Sequence, residues 1–125
     1  MADDPVSEMI EAIEAELLVR SFLAAFNARD IRQVEAFLHP DASYQATACV
    51  RVQGRASVLM VITGLFESLE VFQLTPVSVA VTGDTVLVEQ SLQVRFAGES
   101  PHELFGLARF TVADGVVLGW RQLHG

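Results

Sequence analysis

Residues that could exchange a proton, attack an electrophile or bind a metal are sparse in this chain, and their spacing is poor for joint action. The histidines are His39, His102 and His124. His39 precedes a proline at an expected helix end and His124 lies beside the last residue, so both read as solvent-exposed. His102 opens a strand with Glu103 next to it, and neighbours on a strand face opposite sides, so this acid and base do not converge. There is no H-x-x-x-H, no C-x-x-C and no grouping of two histidines with a carboxylate, so neither a metal nor a cofactor is expected. Cys49 reads as a small buried hydrophobe, since no His–Asn partner for a nucleophilic thiol is legible nearby. Gly54-Arg55 lacks the glycines and lysine of a phosphate loop and reads as a helix start.

What remains is neutral and polar. The chain ends in GVVLGWRQLHG and holds its single tryptophan there. If the run is a strand, Trp120 and Gln122 share one face while Arg121 and Leu123 take the other. An aromatic platform beside an amide can orient an uncharged ligand, but an amide cannot usefully trade a proton near neutral pH.

The elements that must position these groups follow from pattern. Asp4-Pro5 is an N-cap followed by proline at the first helical position, and Ile10, Ile13, Leu17, Phe22, Ala25 and Phe26 keep a helical spacing up to Asn27. Asp30 caps a short second helix with Ile31, Val34 and Leu38 on its inner stripe, stopped by His39-Pro40. Short extended pieces follow at Ser43–Thr47 and Cys49–Gln53, then a third helix from Arg55 to about Leu69 bearing Val58, Leu59, Ile62, Leu65 and Phe66. Strands are expected at about 71–82, 85–97, 102–112 and 115–123, separated by Thr82-Gly83-Asp84, Ala97-Gly98-Glu99-Ser100-Pro101 and Asp114-Gly115. Helices first and a meander last predict an α+β domain, its helices held against the concave face of one curved antiparallel sheet.

The 125 residues form one domain, large enough to fold without disulfides or metal. Apolar residues make up 51% of it, yet no apolar run reaches the roughly 18 residues of a membrane span. The formal charge of −8 comes from 16 acids against 8 bases, every base an arginine, and it disfavours nucleic acids and anionic membranes as partners. Asp3, Asp4, Glu8, Glu11, Glu14 and Glu16 crowd the first helix with no base among them, which reads as a solvated helix face. An acidic start and one cysteine predict a cytoplasmic protein whose mature chain begins here.

The stretch FLAAFNARDIRQVEAFLHPDASYQ, the step VQGRASVLMVI and the ending LARFTVADGVVLGWRQL together resemble the nuclear transport factor 2-like, or SnoaL-like, superfamily from about residue 15 to 123. The resemblance implies a cone-shaped, strongly curved, mostly antiparallel sheet with three helices on its concave face, a cystatin-like roll with a pocket between the two layers. Members include ketosteroid isomerases, limonene-epoxide hydrolases, polyketide cyclases and non-catalytic proteins, so the pocket positions must decide function. Ketosteroid isomerases use a carboxylate base and an oxyanion hole of tyrosine and protonated aspartate. By the resemblance these groups fall at Ala46, Phe22 and Gly106. TGDTVLVEQSLQV and GWRQL resemble the epoxide hydrolases, whose acid, arginine and base fall at Leu92, Gln90 and Gln122. Their water-holding tyrosine and asparagine fall at Tyr44 and Ala46.

The expected pocket is thus Phe22, Phe26, Tyr44, Ala46, Val88, Gln90, Leu92, Gly106, Trp120 and Gln122, with no catalytic residue among them. Glu89, between Val88 and Gln90, points to the outer face and is expected to pair with Arg95 or Arg121. The leading expectation is a binder of a neutral, small apolar molecule. The alternatives are an isomerase, cyclase or epoxide hydrolase with an unusual site, and a structural or partner-binding module. A homodimer through the outer sheet face is expected from the resemblance and from apolar residues on both faces of the strands.

Overall fold

In the computed structural model, which describes residues 4–46 and 50–125, the chain forms α1 (Pro5–Asn27), α2 (Ile31–Phe37), β1 (Leu38–Ala46), β2 (Val50–Gln53), α3 (Arg55–Ser68), β3 (Leu69–Thr82), β4 (Thr85–Phe96), β5 (His102–Ala113) and β6 (Val116–His124). The strands make one sheet in the order β2-β1-β6-β5-β4-β3, antiparallel except where β1 meets β6. The sheet curves without closing, and three helices accompany it, as the α+β expectation requires. Cys49 lies outside the described residues.

Local signals set most boundaries. Asp4 caps α1 by accepting from the Val6 N–H at 3.0 Å, and Asp30 caps α2 by accepting from the Gln33 N–H at 3.2 Å. Arg29, between them, takes a left-handed φ of 57° that turns the chain back. Its guanidinium then donates to the Phe66 and Leu69 carbonyls at 2.6 and 2.7 Å, satisfying orphan acceptors at the end of α3. Asn27 ties the same corner to the sheet. Its side-chain amide donates to the Leu74 carbonyl at 2.7 Å and accepts from the Leu74 N–H at 2.9 Å, as a neighbouring strand would. At Asp114-Gly115 both φ angles are positive, 55° and 75°, matching the tight turn that suits a twisted hairpin.

Two expectations need correction, and the apolar residues of α1 divide in a way that helical spacing does not tell. The second helix stops at Phe37, and Leu38, His39 and Pro40 already belong to β1. Proline is tolerated there because the register with β6 shifts between Leu38 and Ser43, where no regular ladder needs its missing N–H. Leu69 ends no helix but starts β3. On α1, Ile10, Ile13 and Leu17 are not core. The buried residues are Ala15, Val19, Phe22, Leu23, Ala25 and Phe26, so the helix has apolar residues on two sides and only its second half lies against the sheet.

Register orders the inner face into rows. Val86, Phe110, Trp120 and Tyr44 line up across β4, β5, β6 and β1. The next row holds Val88, Ala108, Gln122 and Ala46, and a third holds Gln90, Gly106 and His124. Alternation along each strand sends Leu87, Glu89, Leu107, Arg109, Arg121 and Leu123 to the outer face.

Candidate functional site

Trp120 is the centre of the inner face. It is 1% exposed and is enclosed by Phe22 and Phe26 edge-on at 5.2 and 5.4 Å, by Phe110 stacked at 5.7 Å, and by Tyr44 at 4.5 Å between ring centroids. Each such aromatic pair adds about 0.5–1.5 kcal/mol beyond burial, so this cage stabilises the fold whatever else it does.

Beside the cage runs a chain of neutral polar groups. The Gln122 Nε2 donates to the Tyr44 hydroxyl at 2.7 Å, and the Gln90 Nε2 donates to the Gln122 Oε1 at 3.1 Å. The Gln90 Nε2 also lies 3.1 Å from the His124 Nε2. For that nitrogen to accept, the His124 ring must be neutral with its proton on Nδ1. Burial favours this form, since desolvation lowers the His124 pKa from the ordinary histidine value. Burial also pushes the Tyr44 hydroxyl up to about 12 against the opposing hydrogen bond from Gln122, so it stays protonated. The row therefore carries no charge at neutral pH.

Two atoms are left over. Among the buried side chains described, the Gln90 Oε1 and the Trp120 Nε1 have no hydrogen-bond partner. Gln90 is fully buried, and a buried polar group without a partner costs roughly 1–3 kcal/mol. One acceptor and one donor are thus held unused in an otherwise paired interior.

The expected residues come together. Phe22, Phe26, Tyr44, Val88, Gln90, Leu92, Trp120 and Gln122 are buried, and Ala46 and Gly106 occupy the same rows, half-buried. Gly106 has a steric role: a Cβ there would run into the Leu123 carbonyl and come within 2.7 Å of the His124 Cδ2. The missing side chain is what lets the His124 ring fold over toward Gln90.

Other expectations fail. His124 is half-buried rather than solvent-exposed, and it was legible by alternation, two residues beyond Gln122. Phe110 belongs to the cage and was also missed, although it shares the alternation of Ala108. His39 is only 19% exposed, its Nδ1 accepting from the Asp41 N–H at 2.9 Å and its Nε2 lying 3.4 Å from the Asp114 carboxylate. Glu89 does face outward, but it accepts from the Ser78 hydroxyl at 2.9 Å, while Arg95 pairs with Glu70 at 2.7 Å. Ser78 lies opposite Glu89 across the β3–β4 ladder, closer than either arginine's strand position. The expectation that Glu103 and His102 do not act together is a different case: Glu103 accepts from the Ser91 hydroxyl at 3.0 Å. Among the described residues, no three His, Cys, Asp or Glu are grouped to hold a metal, and no helix is long and apolar enough to cross a membrane.

The fold has many solved relatives. An LEH-like epoxide hydrolase from M. tuberculosis aligns with a TM-score of 0.83 at 23% identity, over 92% of this chain and 85% of that one. A protein assigned as a polyketide cyclase from Xanthomonas campestris pv. campestris aligns with a TM-score of 0.83 at 23% identity, over 91% and 92%. A protein with a ketosteroid isomerase-like fold from Catenulispora acidiphila, in complex with trimethylamine, aligns with a TM-score of 0.77 at 15% identity, over 84% and 82%. At these identities the likeness is one of fold. No curated protein matches the sequence. The family model described as the SnoaL-like domain matches residues 19–120, which span the aromatic cage together with Gln90 but stop short of Gln122 and His124, and the chain belongs to that nuclear transport factor 2-like family.

Proposed function

We propose that the inner face holds a neutral, largely apolar small molecule and that the protein binds it without ordinary acid–base catalysis. In this reading Phe22, Phe26, Tyr44, Leu92 and Trp120 supply the apolar contacts, and Gln90 and Gln122 the polar ones. The observation that carries this reading is the pair of unused buried atoms, the Gln90 Oε1 and the Trp120 Nε1, which a ligand bearing a donor and an acceptor would satisfy. The ligand is neutral because Tyr44 and His124 are held uncharged and the amides have no charge to offset an ion. Half-buried His124 marks the solvent end of the row. The binder is a cytoplasmic homodimer joined through the outer sheet face, where Phe105, Leu107 and Leu123 are exposed.

A second reading has one specific support. The Tyr44–Gln122–Gln90–His124 chain ends on a titratable ring, so an isomerase, cyclase or epoxide hydrolase could use His124 as its proton acceptor. One experiment separates the two. Limonene oxide and a ketosteroid are titrated against the fluorescence of Trp120, the single tryptophan, while product is followed in the same samples. Saturable quenching without product supports binding, and product lost in His124→Gln supports catalysis. No fluorescence change and no product with either compound, nor with a wider panel of neutral terpenoid alcohols and ketones, overturns both.

A further inference from the structure

On α1 the residues Val6, Met9, Ile10, Ile13 and Leu17 are between 48% and 58% exposed. At 100° per residue they fall within one arc of the helix, on the side away from buried Val19 and Phe26. Val6, Ile10, Ile13 and Leu17 are spaced by four, three and four, the seam of a helix that packs along another helix. A solvated acidic face accounts for the glutamates of this helix but not for five large apolar side chains half in water between them.

The charge around the stripe selects its occupant. Glu14 and Glu16 flank it; Glu16 is paired with Arg20 at 2.8 Å, so the charge beside the stripe comes from Glu14 and the acids of the adjoining groove. Beyond Leu17 the helix borders a groove of about 710 Å³ with Leu18 and Phe37 in its lining and Glu11, Glu14, Asp84 and Asp114 around it. No arginine or lysine lines that groove, and the His39 Nε2 lies 3.4 Å from the Asp114 carboxylate. A second copy of α1 laid along this one would set acids against acids, so self-pairing is disfavoured.

We infer that the outward face of α1 docks an amphipathic helix of another protein, one whose apolar stripe is flanked by lysine or arginine. The stripe spans eleven residue steps, about 16 Å, so a partner of three to four turns covers it. The apolar contact gives the affinity, and the acidic flanks select sign and orientation.

The test uses the full chain and two synthetic helices with leucines at alternating three- and four-residue spacing, one filled out with lysine and one with glutamate. Labelled peptide is followed by anisotropy at low and high salt. The leucine–lysine helix is expected to bind, more weakly in high salt, and the leucine–glutamate helix not to bind. Ile13→Asp, at an exposed position and checked for fold by circular dichroism, should weaken binding by at least about tenfold. The gentler Ile10→Ser should weaken it less. Glu11→Gln with Glu14→Gln should weaken it several-fold, while Glu67→Gln with Glu99→Gln, the same charge change elsewhere, should not. Equal binding of both peptides, equal effects of the two charge pairs, or indifference to Ile13→Asp overturns the inference. So does no binding, or a concentration-dependent dimer that Ile13→Asp dissolves, which would make a second copy the occupant.

Discussion

His124 is the residue whose surroundings make the sharpest statement about pH. Its ring accepts a hydrogen bond from Gln90 only when neutral, and burial lowers its pKa, so the folded chain binds this proton less readily than the unfolded one. The stability difference is therefore absent above the ordinary histidine value and grows against the fold as pH falls through that value toward the folded one. Urea unfolding at about pH 7.5 and about pH 5.5 should show a larger loss of stability on acidification in the natural chain than in His124→Gln. The comparison cancels His39 and His102, and equal losses in the two proteins would show that the ring is free to charge in place. Gln90 shows the complementary point: both its N–H groups are spent within the row, and its carbonyl is left without a partner.

Among elements, the corner after α1 controls how the helical layer meets the sheet. Asn27 borrows both backbone groups of Leu74, and Arg29 holds the end of α3, so two consecutive turns of chain anchor α1 to β3 and to α3. Asn27→Ala leaves a part-buried N–H and carbonyl of β3 without partners and should cost about 1–3 kcal/mol in urea unfolding. A loss below about 0.5 kcal/mol, the range of an ordinary surface substitution, would show that water replaces the amide there. Neither anchor was legible beforehand. Asn27 read only as the end of a helical period, since nothing local tells which strand will arrive 47 residues later. The strands were more legible: alternation put Trp120 with Gln122 and Gln90 with Val88, and glycine with positive φ marked the hairpins to within one or two residues.

For the whole molecule, the outer sheet face and the outer face of α1 are apolar surfaces that a single chain leaves exposed among the described residues. If the sheet face joins two copies, sedimentation at micromolar concentration should give about twice 13.6 kDa, and Leu107→Glu should return the mass to 13.6 kDa with circular dichroism unchanged. A natural chain that sediments as a monomer removes the dimer reading. The row of Arg109 beside Arg121 on that face also sets like charges opposite one another, a cost that a facing carboxylate or solvent must offset.

The succession of elements, the α+β class and the two-sided character of each strand follow from local pattern, because helical and strand periods and turn residues act over a few neighbours. Strand parity also put the amides of Gln90 and Gln122 on the inner face, since side chains there are fixed by parity once the strands are placed. Which side of α1 faces the sheet depends on the assembled fold, because two apolar stripes on one helix satisfy the same period and the partner surface alone distinguishes them. The assembled fold also brought His124 over Gly106 to Gln90 and left one acceptor and one donor of the interior unused, since hydrogen bonds across three strands depend on curvature and close approach that no local pattern encodes.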